Sequence, residues 1–145
     1  MKRNLKALTI LVRASKSVEK VLRQDIARYN LNPSEFGVLE YLYHKGNQPM
    51  ANLCQRLLMA NSSITYVVDN LVQAGFVEKV ENESDKRSNF VKLTQKGENY
   101  LESIFPRHEE KIDEIFSLLT EEEVAALTEA LKKIGIYSEK IVAKK

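Results

Sequence analysis

From residue 5 to about 29, Leu5, Leu8, Val12, Leu22 and Ile26 recur at helical spacing. Ile10, Ala14, Val18 and Val21 form a second, interleaved set. One apolar stripe serves a helix's own core, whereas a second widens the sticky arc and points to another chain. Asn30-Leu31-Asn32-Pro33 breaks this helix. Asn32, followed by Pro33 and by Glu35 three residues on, has the spacing of an N-cap with a capping box. It predicts a second helix through Phe36, Leu39, Leu42 and Tyr43, ended by Gly46. A third, short helix over about 50–58 turns Met50, Leu53, Leu57 and Cys54 inward. Met59-Ala60-Asn61 makes a tight turn, and a fourth helix over about 62–74 carries an inward stripe of Ile64, Val67, Val68, Leu71 and Val72 before Gly75 stops it.

The pattern then changes. Gly75-Phe76-Val77-Glu78-Lys79-Val80 and Phe90-Val91-Lys92-Leu93-Thr94 are two short strand-forming runs on either side of a polar, charge-mixed loop, and they predict a hairpin over 76–94. Thr94 is placed to cap a helix over about 95–118 through Tyr100, Leu101, Ile104 and Phe105, which Pro106 should kink or interrupt. Thr120 with Glu123 reads as a capping box for a last helix, about 121–141, with Ala126, Leu127, Ala130, Leu131, Ile134 and Ile141 on its apolar face. Two short helices joined by about three residues have helix-turn-helix proportions, and a hairpin following at once is a wing. The fold class expected is mainly α with a small β-hairpin wing: a winged helix-turn-helix flanked by N- and C-terminal helices.

Composition narrows the function classes. At 145 residues the chain is one domain or one compact pair of subdomains, with an ordinary globular make-up of 43% hydrophobic and 29% charged residues. Lys6, Arg13 and Lys16 interrupt the apolar start, so it reads as a mature helix and not a leader. No apolar run reaches the ~18 residues a membrane span needs. The single cysteine, Cys54, excludes an internal disulfide and fits a reducing cytoplasm; placed among apolar residues without an activating base, it reads as core. The net charge of +2 conceals a basic head, +6 over residues 1–28, and an acidic tail, −4 over residues 98–145, around a nearly neutral middle. There is no phosphate-binding glycine loop, nucleophile elbow or metal-spaced cluster. His44 and His108 are the only histidines. No enzyme, cofactor or metal is expected.

The stretch Asp85-Lys86-Arg87-Ser88-Asn89-Phe90-Val91-Lys92-Leu93-Thr94-Gln95-Lys96-Gly97 resembles the wing signature of the MarR family of bacterial winged-helix regulators: an Asp-x-Arg, an apolar pair, Leu-Thr and a Gly. Val68-Asp69-Asn70-Leu71 through Ala74-Gly75-Phe76-Val77 is similar to the end of that family's recognition helix, and the likeness extends over nearly the whole chain. The resemblance implies a homodimer on a palindromic operator of double-stranded DNA. Its winged helix-turn-helix would span 32–97, and its dimerisation segments would be residues 1–29 and 98–145. It implies that Arg87 enters the minor groove, oriented by Asp85 and flanked by Lys86. In the fourth helix it points to Asn61, Ser62, Ser63, Thr65 and Tyr66 for phosphates or base edges. Family members often carry arginine where this chain has Tyr66 and Asn70, and Asp69, which would repel phosphate, is expected to turn toward the domain.

Leu31-Asn32-Pro33-Ser34-Glu35-Phe36, Leu42-Tyr43-His44-Lys45-Gly46 and Ile64-Thr65-Tyr66-Val67-Val68-Asp69 resemble the branch that responds to hydroquinones and related phenols. A pocket for a small aromatic effector would draw on Phe36, Tyr43 and Tyr100. The function so implied is a transcriptional repressor released from its operator by a phenolic or quinone-type effector or an oxidant. The near-neutral middle keeps open an alternative, a winged-helix protein-interaction module that does not bind DNA.

Overall fold

A computed structural model of the chain describes residues 2–81, 84 and 89–144. The elements are α1 (Lys2–Ala27), α2 (Pro33–Lys45), β1 (Gln48–Pro49), α3 (Met50–Leu57), α4 (Asn61–Gln73), β2 (Val77–Glu81), β3 (Asn89–Leu93), α5 (Gln95–Phe116) and α6 (Glu121–Ala143). This is a mostly helical winged-helix fold, as its sequence pattern predicts. Local chemistry sets the boundaries. Asn30 ends α1 in the left-handed region at φ 58°, where a short amide side chain is tolerated. The Asn32 side chain accepts from the Glu35 N–H at 2.8 Å, and the Glu35 carboxylate accepts from the Asn32 N–H at 2.9 Å. Thr120 and Glu123 repeat this reciprocal cap on α6, at 3.1 and 3.0 Å. At α5, the Thr94 hydroxyl accepts from the Gly97 N–H at 3.1 Å and donates to the Gly75 carbonyl at 2.6 Å, so one side chain joins the helix start to the turn after α4.

Two expectations are corrected. The hairpin is the larger portion of a three-stranded antiparallel sheet of order β1-β3-β2, because Gln48 and Pro49 pair with Val91 and Phe90 on the free side of β3. A two-residue strand carries no readable alternation, and its proline, which lacks an N–H, fits only an edge. Nor does Pro106 interrupt α5, which runs through it from Gln95 to Phe116.

The chain forms two compact units, residues 1–109 and 110–145. In the first, Val38, Leu39, Leu53, Ile64, Val68, Val91 and Leu101 are wholly buried, so α2, α3, α4, β3 and α5 converge on one core. Only the C-terminal end of α1 joins it, through Leu22 and Ile26; Leu5, Leu8, Ile10 and Val12 stay exposed. Val72, expected inward, is exposed at the end of α4. In the second unit no residue of α6 is buried, although Leu127, Leu131, Ile134 and Ile141 line its apolar face. No helix among the described residues is long and apolar enough to cross a membrane.

The first unit holds a buried polar cluster that periodicity gave no sign of. Asp25 (2% exposed) and His108 (6%) meet with Oδ2 and Nδ1 3.0 Å apart, and the Tyr29 hydroxyl donates to the other Asp25 oxygen at 3.0 Å. Tyr100 in turn donates its hydroxyl to the Tyr29 carbonyl. Burial, and then the bond to Asp25, pushes the Tyr29 phenol from 10.0 up to about 12. The folded state thus holds this proton more tightly than the unfolded one. Its contribution is complete below pH 10 and is lost as pH rises toward about 12. Denaturant unfolding across that window should show a downward slope in stability that Tyr29→Phe makes shallower; equal slopes would contradict the assignment.

Candidate nucleic-acid interface

The core locks one face of α4 and leaves the opposite one bare. Ile64, Val67, Val68 and Leu71 are buried, while Asn61, Ser62, Ser63, Thr65 and Tyr66 are all exposed, Tyr66 at 69%. Spacing of three and four residues between the buried positions forces this division, since side chains one turn apart share a face. Asn70 is half-buried at the edge. Ala60 at the N-cap offers no side-chain acceptor, so the first-turn amides of α4 have no side-chain cap. The Thr65 hydroxyl donates back to the Asn61 carbonyl at 2.8 Å and keeps its lone pairs for a second partner. The Asn61 side-chain oxygen accepts from the Cys54 thiol at 3.0 Å, which leaves the amide nitrogen as Asn61's outward donor. Cys54 is half-buried against the core on α3, so it packs as expected, and it also braces the start of α4.

Asp69 departs from expectation. It stays exposed, and its carboxylate is bonded at 2.8 Å to the Lys79 ammonium of β2. The turn through Gly75, at φ +85°, returns the chain so that β2 runs back beside α4 and brings Lys79 to it. A pair so exposed contributes only ~0–1 kcal/mol to stability. The ammonium also offsets the negative charge of Asp69 on this side of α4. The wing pairs Val77 with Leu93 through to Glu81 with Asn89, anchored by buried Val77 and Val91. Asp85, Lys86 and Arg87 lie outside the described residues.

The three aromatic side chains assigned to an effector pocket take different partners. Phe36 is buried with its ring 4.6 Å from that of His108. Tyr43 sets its ring edge-on to Phe105 at 5.0 Å and donates to Glu102 at 3.3 Å. Desolvation, and then the Glu102 charge, raise its phenol above the ordinary value. Tyr100 stacks on Phe76 at 4.9 Å. Phe36 and Tyr100 both reach the Asp25 cluster, Phe36 through His108 and Tyr100 through Tyr29; Tyr43 does not touch it. Sequence reasoning missed that cluster because Asp25 and His108 are 83 positions apart. Among the described residues no group of three or more His, Cys, Asp or Glu side chains could hold a metal ion.

This geometry can be set beside known proteins. The MarR family model matches residues 31–89, the segment from α2 to the start of β3. The HTH-type transcriptional regulator MhqR of Bacillus subtilis is 43% identical over 92% of this chain and 92% of its own length. Among solved structures, AbsC of Streptomyces coelicolor, a MarR family transcriptional regulator, superposes with a TM-score of 0.87 over 97% of each chain at 21% identity. A mutant MarR from E. coli complexed with operator DNA superposes with a TM-score of 0.81, over 91% of this chain and 95% of that one, at 25% identity. The bare face of α4 beside a wing and the 43% identity over nearly the full length lead to one assignment: the chain belongs to the MarR family of transcriptional regulators and is a DNA-binding regulator, not an enzyme.

Proposed function

We propose that the protein is a cytoplasmic, homodimeric repressor of a palindromic operator, released by a small phenolic or quinone-type effector or an oxidant. The observation that carries the DNA-binding geometry is the exposed row Asn61, Ser62, Ser63, Thr65 and Tyr66, held rigid by the buried opposite face of α4. Small hydroxyl and amide groups there suit phosphates and base edges. The wing, through Arg87 with Asp85 orienting it and Lys86 beside it, is assigned the minor groove. The homodimer is supported by apolar side chains that this chain leaves bare: Leu5, Leu8, Ile10 and Val12 on α1, and Ile134, Ile136, Tyr137 and Val142 on α6. Apolar side chains left bare along a helix in this number mark an interaction surface. The opposed charges of head and tail suit a self-complementary two-fold interface. The 43% identity to MhqR supports placing the chain in the phenol-responsive branch. Phe36, Tyr43 and Tyr100 remain the side chains assigned to the effector.

Operator binding at several salt concentrations tests the reading. Arg87→Ala should keep the fold and weaken binding by ~1–3 kcal/mol for each arginine removed, and a two-fold dimer carries the arginine on both wings. The salt slope should become shallower by about one to two units. Arg87→Lys should recover only a fraction of the loss, since an ammonium lacks the planar fork. Unchanged affinity and slope for Arg87→Ala would remove the wing from the interface. A folded, stable monomer in sedimentation at micromolar concentration would remove the homodimer.

A further inference from the structure

Only a short length of α1 is fastened to the rest of its unit. Asp25 and Ile26 are its buried residues and Leu22 packs beside them, whereas Leu5, Leu8, Ile10 and Val12 toward its other end are exposed. From Asp25 back to Lys2 the helix runs roughly 35 Å at its ordinary rise. It is a lever on a narrow mount. A tilt of about 5° at the mount moves the far end by ~3 Å, close to the ~3.4 Å that separates successive base pairs of a duplex.

Apolar packing of Leu22 and Ile26 is non-directional and holds such an angle loosely. Hydrogen bonds weaken steeply once bent, so they hold it closely. The mount has several. His108 Nδ1 and Asp25 Oδ2 are 3.0 Å apart, the Tyr29 hydroxyl donates to Asp25 Oδ1 at 3.0 Å, and the Tyr100 hydroxyl donates to the Tyr29 carbonyl. Tyr100 and His108 both stand on α5, two turns or ~12 Å apart along its axis. One bond would act as a pivot; two separated points of attachment resist tilting. Behind them the contacts continue into the winged helix. The His108 ring lies 4.6 Å from that of Phe36 on α2, and Tyr100 stacks at 4.9 Å on Phe76, at the root of β2. Lys96, one turn earlier on α5, donates its ammonium to the Ala74 carbonyl at the end of α4 at 2.8 Å.

We propose that this buried polar cluster sets the half-site spacing that the protein accepts in its operator. Asp25, Tyr29, Tyr100 and His108 are positioning residues: they act through the angle between α1 and the winged helix, not on the DNA. The inference rests on the homodimer proposed above, with the bare half of α1 in its interface. In a two-fold dimer any freedom at the mount enters twice. A few degrees of it let the two copies of α4 shift apart by a base-pair step or more.

The test uses the full-length protein and the duplex it selects from a random-sequence pool, resynthesised with one base pair inserted or removed between the half-sites. Affinity of the parent protein should fall about a hundredfold on either change, because one half-site loses its register. Tyr29→Phe and Tyr100→Phe each remove one hydroxyl and keep the ring, so fold and dimer should survive, as circular dichroism and sedimentation would verify. Both should narrow the spacing penalty to about tenfold or less, by tolerating the altered duplexes and not only by weakening on the selected one. Tyr41→Phe removes a phenolic bond outside the cluster, to the Gln48 side chain at 3.3 Å, and should keep the full penalty. A merely structural role would weaken all three duplexes alike. Equal spacing penalties in the parent and both folded variants, or the same relaxation in Tyr41→Phe, would overturn the proposal and leave the homodimer standing. A selected duplex with a single half-site, or a monomer in sedimentation, would remove the homodimer and this inference with it.

Discussion

Asp25→Ala is expected to destabilise the protein by ~3–5 kcal/mol, the cost of removing a carboxylate to which two buried polar groups are bonded. The carboxylate accepts at both oxygens, from Tyr29 and against His108, and both neighbours are nearly as buried as it is. Truncation would leave two polar groups without a partner in a site that water does not reach, and each carries a desolvation penalty of ~1–3 kcal/mol. The loss should also loosen the only stretch of α1 that joins the core, since Asp25 and Ile26 are its buried residues. Asp25→Asn keeps the shape and one acceptor and should cost less than half as much. Urea unfolding of the three proteins decides the matter. A midpoint for Asp25→Ala within ~1 kcal/mol of the parent would mean that solvent enters the cluster on its own.

Gly97→Ala should be a damaging single methyl group where α5 meets the root of the wing. An alanine ordinarily favours a helix over glycine by ~1 kcal/mol. Here the added Cβ would lie 2.2 Å from the Phe76 carbonyl oxygen, 3.0 Å from its carbon and 3.1 Å from Leu93 Cδ2. The first two are backbone atoms at the root of the hairpin, and they yield only if β2 and α5 separate. Sterics therefore outweigh propensity, and a loss of ~3 kcal/mol or more is expected. The Thr94 bonds to Gly75 and Gly97 bridge the same junction, so the wing should tilt and operator binding should fall with stability. Gly37→Ala is the comparison. It meets only the far end of the Leu57 side chain at 2.8 Å, which a rotamer change relieves, so it should cost clearly less. Equal thermal midpoints for the two variants would contradict this account.

The same two glycines show where reading along the chain stops. Gly97 stands out in the sequence as the last residue of a family-like signature. That the signature needs a glycine there follows only when β2 and the start of α5 are seen in contact. Asp69 teaches a similar lesson: the sequence reading turns it toward the domain, whereas it stays exposed with Lys79 beside it, which depends on how the chain returns after Gly75. Phe36, Tyr43 and Tyr100, the side chains proposed for an effector, are legible in the sequence as aromatic residues, but their partners His108, Phe105 and Phe76 are not.

Helix limits, the turn before α4, the hairpin and the bare face of α4 all follow from interactions spanning one to four residues or from the alternation of a single strand. Caps such as Asn32 with Glu35, and stripes such as Ile64, Val67, Val68 and Leu71, act within one element and are written in its own residues. The pairing of Gln48 and Pro49 with β3, the burial of Asp25 against His108 and the close approach of Leu57 to Gly37 join residues far apart in the chain. No local pattern encodes them, because each depends on which surfaces the packed core leaves adjacent.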